Sequence, residues 1–258
     1  MPIITLTSDW GYKDHYIGAV KGAILSRIPD VTIVDISHSI PPFNIEHAAF
    51  VLKNCFRSYP EGTVHIIGVN TEESDKNPHI IIKSDGHFFI GADTGIFSMI
   101  LDKEPDIIIE MNIIQDSGFF TFSSRDRFAK AAAHIAMGKS IEELGTVKNS
   151  INEKILFEPV VTENLIKGHV IFIDSYENII TNIKEHLFKE VGKGRKFAIG
   201  FRTYEISKLS RSYSDVPVGE IVALFNSGGY LEIAMNQGNA AGLLGMDSKD
   251  LVRVEFAV

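Results

Sequence analysis

The chain has 258 residues with a formal net charge of −8. That length holds two domains or one large one, and an acidic balance without a run of Lys and Arg speaks against a nucleic-acid partner. A single cysteine, Cys55, excludes an internal disulfide, no Cys/His zinc pattern occurs, and no leader or membrane-spanning apolar stretch is visible, so a cytoplasmic protein without membrane contact is expected.

Ile3 to Leu6 reads as a buried strand and ends in Thr7-Ser8-Asp9. Tyr16 to Arg27 reads as a helix with Ile17, Val20, Ile24 and Ile28 on one face, stopped by Pro29-Asp30. Val31 to Ile36 is a second, β-branched strand, so the first stretch is a βαβ unit with a parallel strand pair. A rigid loop through Pro41-Pro42-Phe43 leads to a helix over Ile45–Arg57, then a turn at Pro60-Glu61-Gly62 and a third strand from Thr63 to Val69. Asp85-Gly86, between two apolar runs, signals a hairpin. A short helix over Ile96–Leu101, a strand over Ile107–Asn112 and an alanine-rich helix over Arg127–Met137 complete the first half.

From about residue 155 the pattern changes to short strands separated by turns, among them His169–Ile173, Lys196–Phe201, Ile221–Phe225 and Leu251–Phe256. The expected architecture is an α/β N-terminal domain with a mostly parallel central sheet over residues 1–150, followed by an all-β, barrel-like C-terminal domain over residues 155–258.

Open α/β sheets bind ligands beyond the carboxyl ends of their strands, which draws attention to Asp9 and Asp14 in the first loop. Two such carboxylates could hold a cation, as in a metal-dependent phosphatase, but no complementary acidic or His cluster occurs later in the chain. His38, His47, His65, His79 and His87 lack metal-ligand spacing and read as structural. In the second half, Tyr176 and Tyr213 lie in polar loops suited to a planar base, with Asn178 beside the first; covering the ends of the barrel is their simpler role. No phosphate-binding glycine loop, dinucleotide fingerprint or serine nucleophile elbow occurs. The residues alone therefore describe a two-domain ligand-binding protein.

A resemblance takes this further. Thr7–Gly18, Asp35–Phe43, Gly91–Gly95, Thr121–Asp126, Asp174–Asn182 and Asn226–Ala241 match, in order, the motifs of the S-adenosyl-L-methionine (SAM) hydroxide adenosyltransferases, or SAM hydrolases, which share their fold with the fluorinases and chlorinases. The resemblance spans both halves. It implies a homotrimer whose site joins the first domain of one subunit to the second domain of a neighbour, with SAM or adenosine as ligand and no separate cofactor or metal. It assigns Asp9 to the ribose hydroxyls and Asp14, helped by Ser227, to the methionine ammonium. Phe43 becomes an aromatic wall and Phe122 a lining of the reaction centre. Tyr176 and Tyr213 enclose the adenine, Asn178 reads its edge, and Asn226 lies in the same pocket. The implied reaction is in-line displacement at the ribose C5′ with methionine leaving. A sulfonium is already activated, so the enzyme's task is to align a nucleophile and exclude bulk water.

The chain departs from the family at the reactive end. The Asp, Arg and His that the hydrolases place around the attacking water correspond to Asn70, Asn77 and Ser123, none of them ionisable at neutral pH. Ser124 stands where the fluorinases carry a serine and the hydrolases a glycine. Two expectations remain open: an enzyme that cleaves SAM with water or another small nucleophile through a rebuilt centre, or a SAM- or adenosine-binding module that has lost hydrolysis.

Overall fold

The computed structural model describes residues 2–115, 117–154 and 158–257. The chain divides into two compact units, Met1–Ile155 and Leu156–Val258.

The first unit runs β1 (Ile3–Ser8), α1 (Tyr16–Leu25), β2 (Thr32–Ser37), α2 (Ile45–Lys53), β3 (Val64–Gly68), β4 (His79–Ser84), β5 (His87–Ala92), α3 (Ile96–Ile100), β6 (Ile107–Met111), α4 (Ala129–Ala136) and β7 (Gly145–Val147). Its strands form one sheet in the order β2-β1-β3-β5-β4-β6-β7. β2, β1, β3 and β5 are parallel, but β5-β4, β4-β6 and β6-β7 are antiparallel. The sheet is thus mixed, with four adjacent parallel strands followed by antiparallel pairing. The cause is local. Asp85 and Gly86 both have positive φ, 51° and 76°, and a two-residue turn of that kind folds β4 back on β5 instead of crossing over. The next strands then join the free edge of β4.

Helices cover both faces. Ile66, Ile81 and Ile90 pack with Val20, Ile24 and Phe128 on one side. Ile67, Ile80, Ile82 and Phe89 pack with Leu52, Phe56 and Phe97 on the other. Adjacent strand residues thus enter different cores, which is why these segments show no hydrophobic alternation. Two helices differ from the expected spans. α2, capped by the Asn44 side chain accepting from the His47 amide at 2.9 Å, ends at Lys53 and is succeeded by a 3₁₀ turn at Phe56–Ser58. The alanine-rich helix is preceded by a π-helical turn, Ser124–Phe128, which directs both Asp126 and Arg127 inward.

The second unit holds β8 (Val160–Val161), β9 (Leu165–Ile173), β10 (Ile179–Lys184), α5 (Glu185–Gly192), β11 (Phe197–Phe201), β12 (Tyr204–Ile206), β13 (Ile221–Phe225), β14 (Tyr230–Met235), α6 (Ala240–Leu244) and β15 (Leu251–Phe256). The order is β12-β11-β15-β9-β10-β14-β13, with β8 on β9 and every pairing antiparallel. This nearly barrel-shaped sheet closes around one core that includes Ile166, Ile183, Ile199, Leu231, Val252 and Phe256. Helices α5 and α6 contribute Phe188, Val191, Ala240 and Leu244 to that core, so the unit is not strands alone.

A buried polar chain crosses the N-terminal half of the parallel strands. Thr5 Oγ1 lies 2.7 Å from His65 Nδ1, and His65 Nε2 lies 3.2 Å from His87 Nδ1. Burial, with His87 adding to it, pushes the His65 imidazole down to about 3. Its folded-state value lies below its unfolded one, so its neutral form supports the fold above pH 6.5 and that support is lost as pH falls toward 3. Urea midpoints should fall across this window, with a slope from this group of at most about 1.4 kcal/mol per pH unit. His65→Gln, which keeps a polar partner for Thr5, should flatten the slope; an unchanged slope would assign the acid sensitivity elsewhere.

Candidate functional site

Three parallel strands end side by side and supply the site of the first unit. β1 lies between β2 and β3, and the residues after these strands include Asp9, His38 and Asn70. Between Leu6 and Thr7 the β1-β2 register slips, with Leu6 opposite Asp35 and Thr7 opposite Ser37, so Ile36 is passed over. A bulge of this sort re-aims the residues beyond it.

The slip places His38 against Ser8. The Ser8 hydroxyl lies 2.6 Å from His38 Nδ1, His38 Nε2 lies 3.1 Å from Asp35 Oδ1, and Lys21 Nζ donates to Asp35 Oδ2 at 2.6 Å. Burial works to raise the Asp35 carboxyl, but Lys21 and His38 outweigh it and hold it below the usual carboxylate range. The order Ser–His–Asp resembles a nucleophilic triad, but Ser8 and His38 are both 0% exposed, and no substrate reaches a serine so enclosed. The network instead fixes the loop above it. His38 stacks on Trp10 at 5.9 Å and meets the Tyr12 ring edge-on at 5.4 Å, and its carbonyl accepts from the Gly11 amide at 2.8 Å.

Asp9 is half-buried and accepts a hydrogen bond from the Phe43 amide at 2.8 Å. This ties the loop after β1 to the loop after β2 and holds Phe43 at φ 62° with its ring 74% exposed. Phe122 stands beside them, edge-on to Trp10 at 6.0 Å and to Tyr16 at 5.2 Å, with the Arg125 guanidinium 5.3 Å from its ring centre. Asp9 and Phe43 are thus joined by a hydrogen bond, and Trp10, next to Asp9 in the chain, is joined to Phe122 by ring contact. Asp14 is exposed and makes no hydrogen bond or ion pair with another described residue.

Asn70, Asn77 and Ser123 each have their own surroundings. Asn70 is exposed at φ 50°, a left-handed conformation that asparagine tolerates. Asn77 donates its backbone amide to the Ser74 carbonyl at 3.0 Å and accepts from the Ser74 amide at 3.3 Å, and so closes its own loop. Ser123 and Ser124 are buried, 8% and 1% exposed, and the Ser124 Oγ has no hydrogen-bond partner. The same loop and helix bring together residues to which sequence reading gave no catalytic role. Arg127 bonds Glu73 and lies 2.9 Å from His79 Nδ1, and Glu73 and Arg127 line a cavity of about 460 Å³.

In the second unit, Asp174 organises the turn after β9. It accepts from the Tyr176 and Asn178 amides at 2.9 Å each and from Asn178 Nδ2 at 3.1 Å. Tyr176 is left 79% exposed. Glu232, 2% exposed, accepts from the Tyr213 hydroxyl at 2.7 Å and from Asn226 Nδ2 at 3.0 Å. Burial first, then Glu232 and Asp174, push the Tyr213 phenol well above its ordinary value, so it stays a hydrogen-bond donor. Ser227 lies in the turn between β13 and β14. Glu232 was not visible in the sequence, because a strand residue gives no sign that its carboxylate points inward to two polar partners.

Among the described residues, no group of three or more His, Cys, Asp or Glu could hold a metal ion, and no helix is long and apolar enough to cross a membrane.

Models of the SAM hydroxide adenosyltransferase N-terminal and C-terminal domains match residues 4–145 and 168–253. The chain belongs to this family. The (R)-S-adenosyl-L-methionine hydrolase of Methanocaldococcus jannaschii is 32% identical over 267 residues, covering 99% of this chain and 97% of the relative. A fluorinase of Nocardia brasiliensis is 28% identical over 278 residues, covering 93% and 92%. The crystal structure of an uncharacterised conserved protein from Thermotoga maritima superposes with a TM-score of 0.89 at 29% identity, over 98% of this chain and 99% of that one. SAM hydroxide adenosyltransferase membership thus covers both units.

Two substitutions test this geometry. A Cβ added at Gly68 would stand 2.3 Å from Trp10 Cζ2, so Gly68→Ala should displace the indole. Trp10 is the one tryptophan in the sequence, and a shift in intrinsic fluorescence reports the change; an unaltered spectrum would contradict the packing. Phe43→Gly removes a left-handed non-glycine residue whose ring packs little, and should raise stability by about 1 kcal/mol in thermal melting while weakening ligand binding.

Proposed function

We propose that this protein binds SAM and cleaves it at the ribose C5′ by in-line attack of water, giving adenosine and L-methionine. The observation that carries this reading is the continuity of family membership over both units, together with the set Asp9, Trp10, Phe43 and Phe122 at the strand ends. Relatives named for SAM hydrolysis and for fluorination lie on either side of the same displacement chemistry.

The resemblance to the family supplies the roles, and charge and shape are compatible with them. One Asp9 oxygen accepts from Phe43, leaving the other for a ribose hydroxyl. Asp14, exposed beyond it, pairs with the methionine ammonium, helped by Ser227. Tyr176 and Tyr213 supply faces for adenine, with Asn178 and Asn226 for its edge. A chain of net charge −8 favours a substrate bearing a sulfonium and an ammonium. Assembly as a homotrimer belongs to the same reading and is tested by light scattering. Phe122, with Trp10 behind it, shields the reacting carbon from bulk water.

A second reading has one specific observation in its favour. Asn70, Asn77 and Ser123 carry no ionisable group, and Asn77 is engaged in its own loop, which suits a module that binds SAM or adenosine without hydrolysis. Incubating pure protein with SAM and measuring adenosine and methionine by chromatography separates the two, with chloride and fluoride varied to expose a halide nucleophile. Adenosine release is expected. SAM binding with no product at high protein concentration would select the binding module. Asp9→Asn should weaken SAM binding by about tenfold or more, as expected for loss of a charged hydrogen bond; an unchanged affinity would remove Asp9 from the ribose site.

A further inference from the structure

The loop between β3 and β4 and the π-helical turn before α4 carry or adjoin the substituted positions Asn70, Asn77 and Ser123, yet the same two segments build a different charged centre. Arg127, 7% exposed, is its hub. Its Nη1 donates to the Glu73 carboxylate and to His79 Nδ1, and its Nη2 donates to the Met111 carbonyl at 3.1 Å. His79 Nε2 lies 2.9 Å from the Thr71 carbonyl, which can only accept, so Nε2 holds the imidazole proton and Nδ1 offers its lone pair to Arg127. The guanidinium is thereby held in a fixed fork with an anion on one side and a neutral imidazole on the other.

Two unpartnered polar atoms and a cavity lie at this cluster. Arg127 Nε and Ser124 Oγ are both buried without a hydrogen-bond partner, and the two residues are three positions apart on one helical turn. Buried polar groups in folded proteins are ordinarily satisfied by protein or by water, so a pair of orphans on one turn marks room for a bound polar species. Arg127 also lines the 460 Å³ cavity, together with Glu73, Gln115, Ser117 and Phe120. The Glu73 side chain is 45% exposed, so its carboxylate is oriented by Arg127 and still reachable.

We propose that Glu73, oriented by Arg127 and His79, is the base that holds and deprotonates the attacking water. The inference rests on the SAM-cleaving reading and names the residues that would carry its chemical step. As the water oxygen bonds to C5′, the C5′–S bond breaks. Its electron pair goes to sulfur, turning the sulfonium into the neutral thioether of methionine. The water proton passes to the Glu73 carboxylate and then to solvent. Arg127 is a positioning residue that keeps the carboxylate aimed at the cavity, and His79 is a positioning residue for Arg127.

The test uses the full chain, with adenosine release and SAM binding measured in parallel, the latter through Trp10 fluorescence. The wild type should turn over. Glu73→Gln should lose about a hundredfold or more in kcat, the scale of a missing general base, with SAM affinity within about threefold of wild type. Formate, a small carboxylate that the cavity admits, should raise the rate of this variant and not of the wild type. Glu73→Asp keeps the charge one methylene short and should fall in between, so it decides the matter if the amide variant does not fold. Wild-type kcat in Glu73→Gln, or in a folded Glu73→Asp, overturns the inference and leaves SAM cleavage standing. A Glu73→Gln variant that loses affinity and keeps its kcat also overturns it, by making Glu73 a binding residue. A wild-type protein that binds SAM and releases no adenosine overturns both.

Discussion

Strand β1 carries Thr5 and Ser8 into the interior at 0% exposure, and the site depends on how the fold answers them. A buried hydroxyl without a partner costs about 1–3 kcal/mol, so these two demand complementary groups from the neighbouring segments. Thr5 is answered by His65 from β3, and Ser8 by His38 from the loop after β2. The second answer has functional reach. To place His38 opposite Ser8 the β1-β2 ladder takes a bulge, and His38 then becomes the floor on which Trp10 and Tyr12 rest. The polar residues of β1 thus set both the register of the sheet and the shape of the loop beyond its end.

Above that floor two side-chain clusters stand on different segments of the chain. Asp9, Phe43, Trp10 and Phe122 are held by one hydrogen bond, chain adjacency and ring contact, which makes a pre-organised wall. Glu73 stands on a different element, held by a guanidinium that His79 and the Met111 carbonyl also fix in place. The Arg127 guanidinium needs the π-helical turn to face inward, and burying an arginine is tolerable only when its donors are nearly all engaged.

Much of this was legible in order along the chain. The opening βαβ unit, the Asp85-Gly86 hairpin and the run of short strands in the second half were readable because each depends on local propensity or turn chemistry. The direction of β4, β6 and β7 relative to the parallel strands was harder to read. Once Asp85 and Gly86 turn the chain back, the open edge of β4 recruits β6, and β6 in turn recruits β7, a consequence of pairing in space. Short helices such as α6 escaped notice because one and a half turns give no periodicity, and Asn239 as cap reads in sequence as part of a loop.

The sequence by itself determined the family and the two-part organisation, because those reside in runs of specific residues that keep their spacing whatever the rest of the chain does. It did not determine which ionisable groups meet. His38 and His79 looked like scattered structural histidines, Glu232 like one more strand residue, and Arg127 like the start of an alanine-rich helix. Only the tertiary structure joined Ser8 to His38 and Asp35, Tyr213 and Asn226 to Glu232, and Arg127 to Glu73 and His79. Most of these links join separate elements, and a buried polar group finds its partner by position in space, where hydrogen-bond geometry and exclusion of water select the pair and distance along the chain has no say.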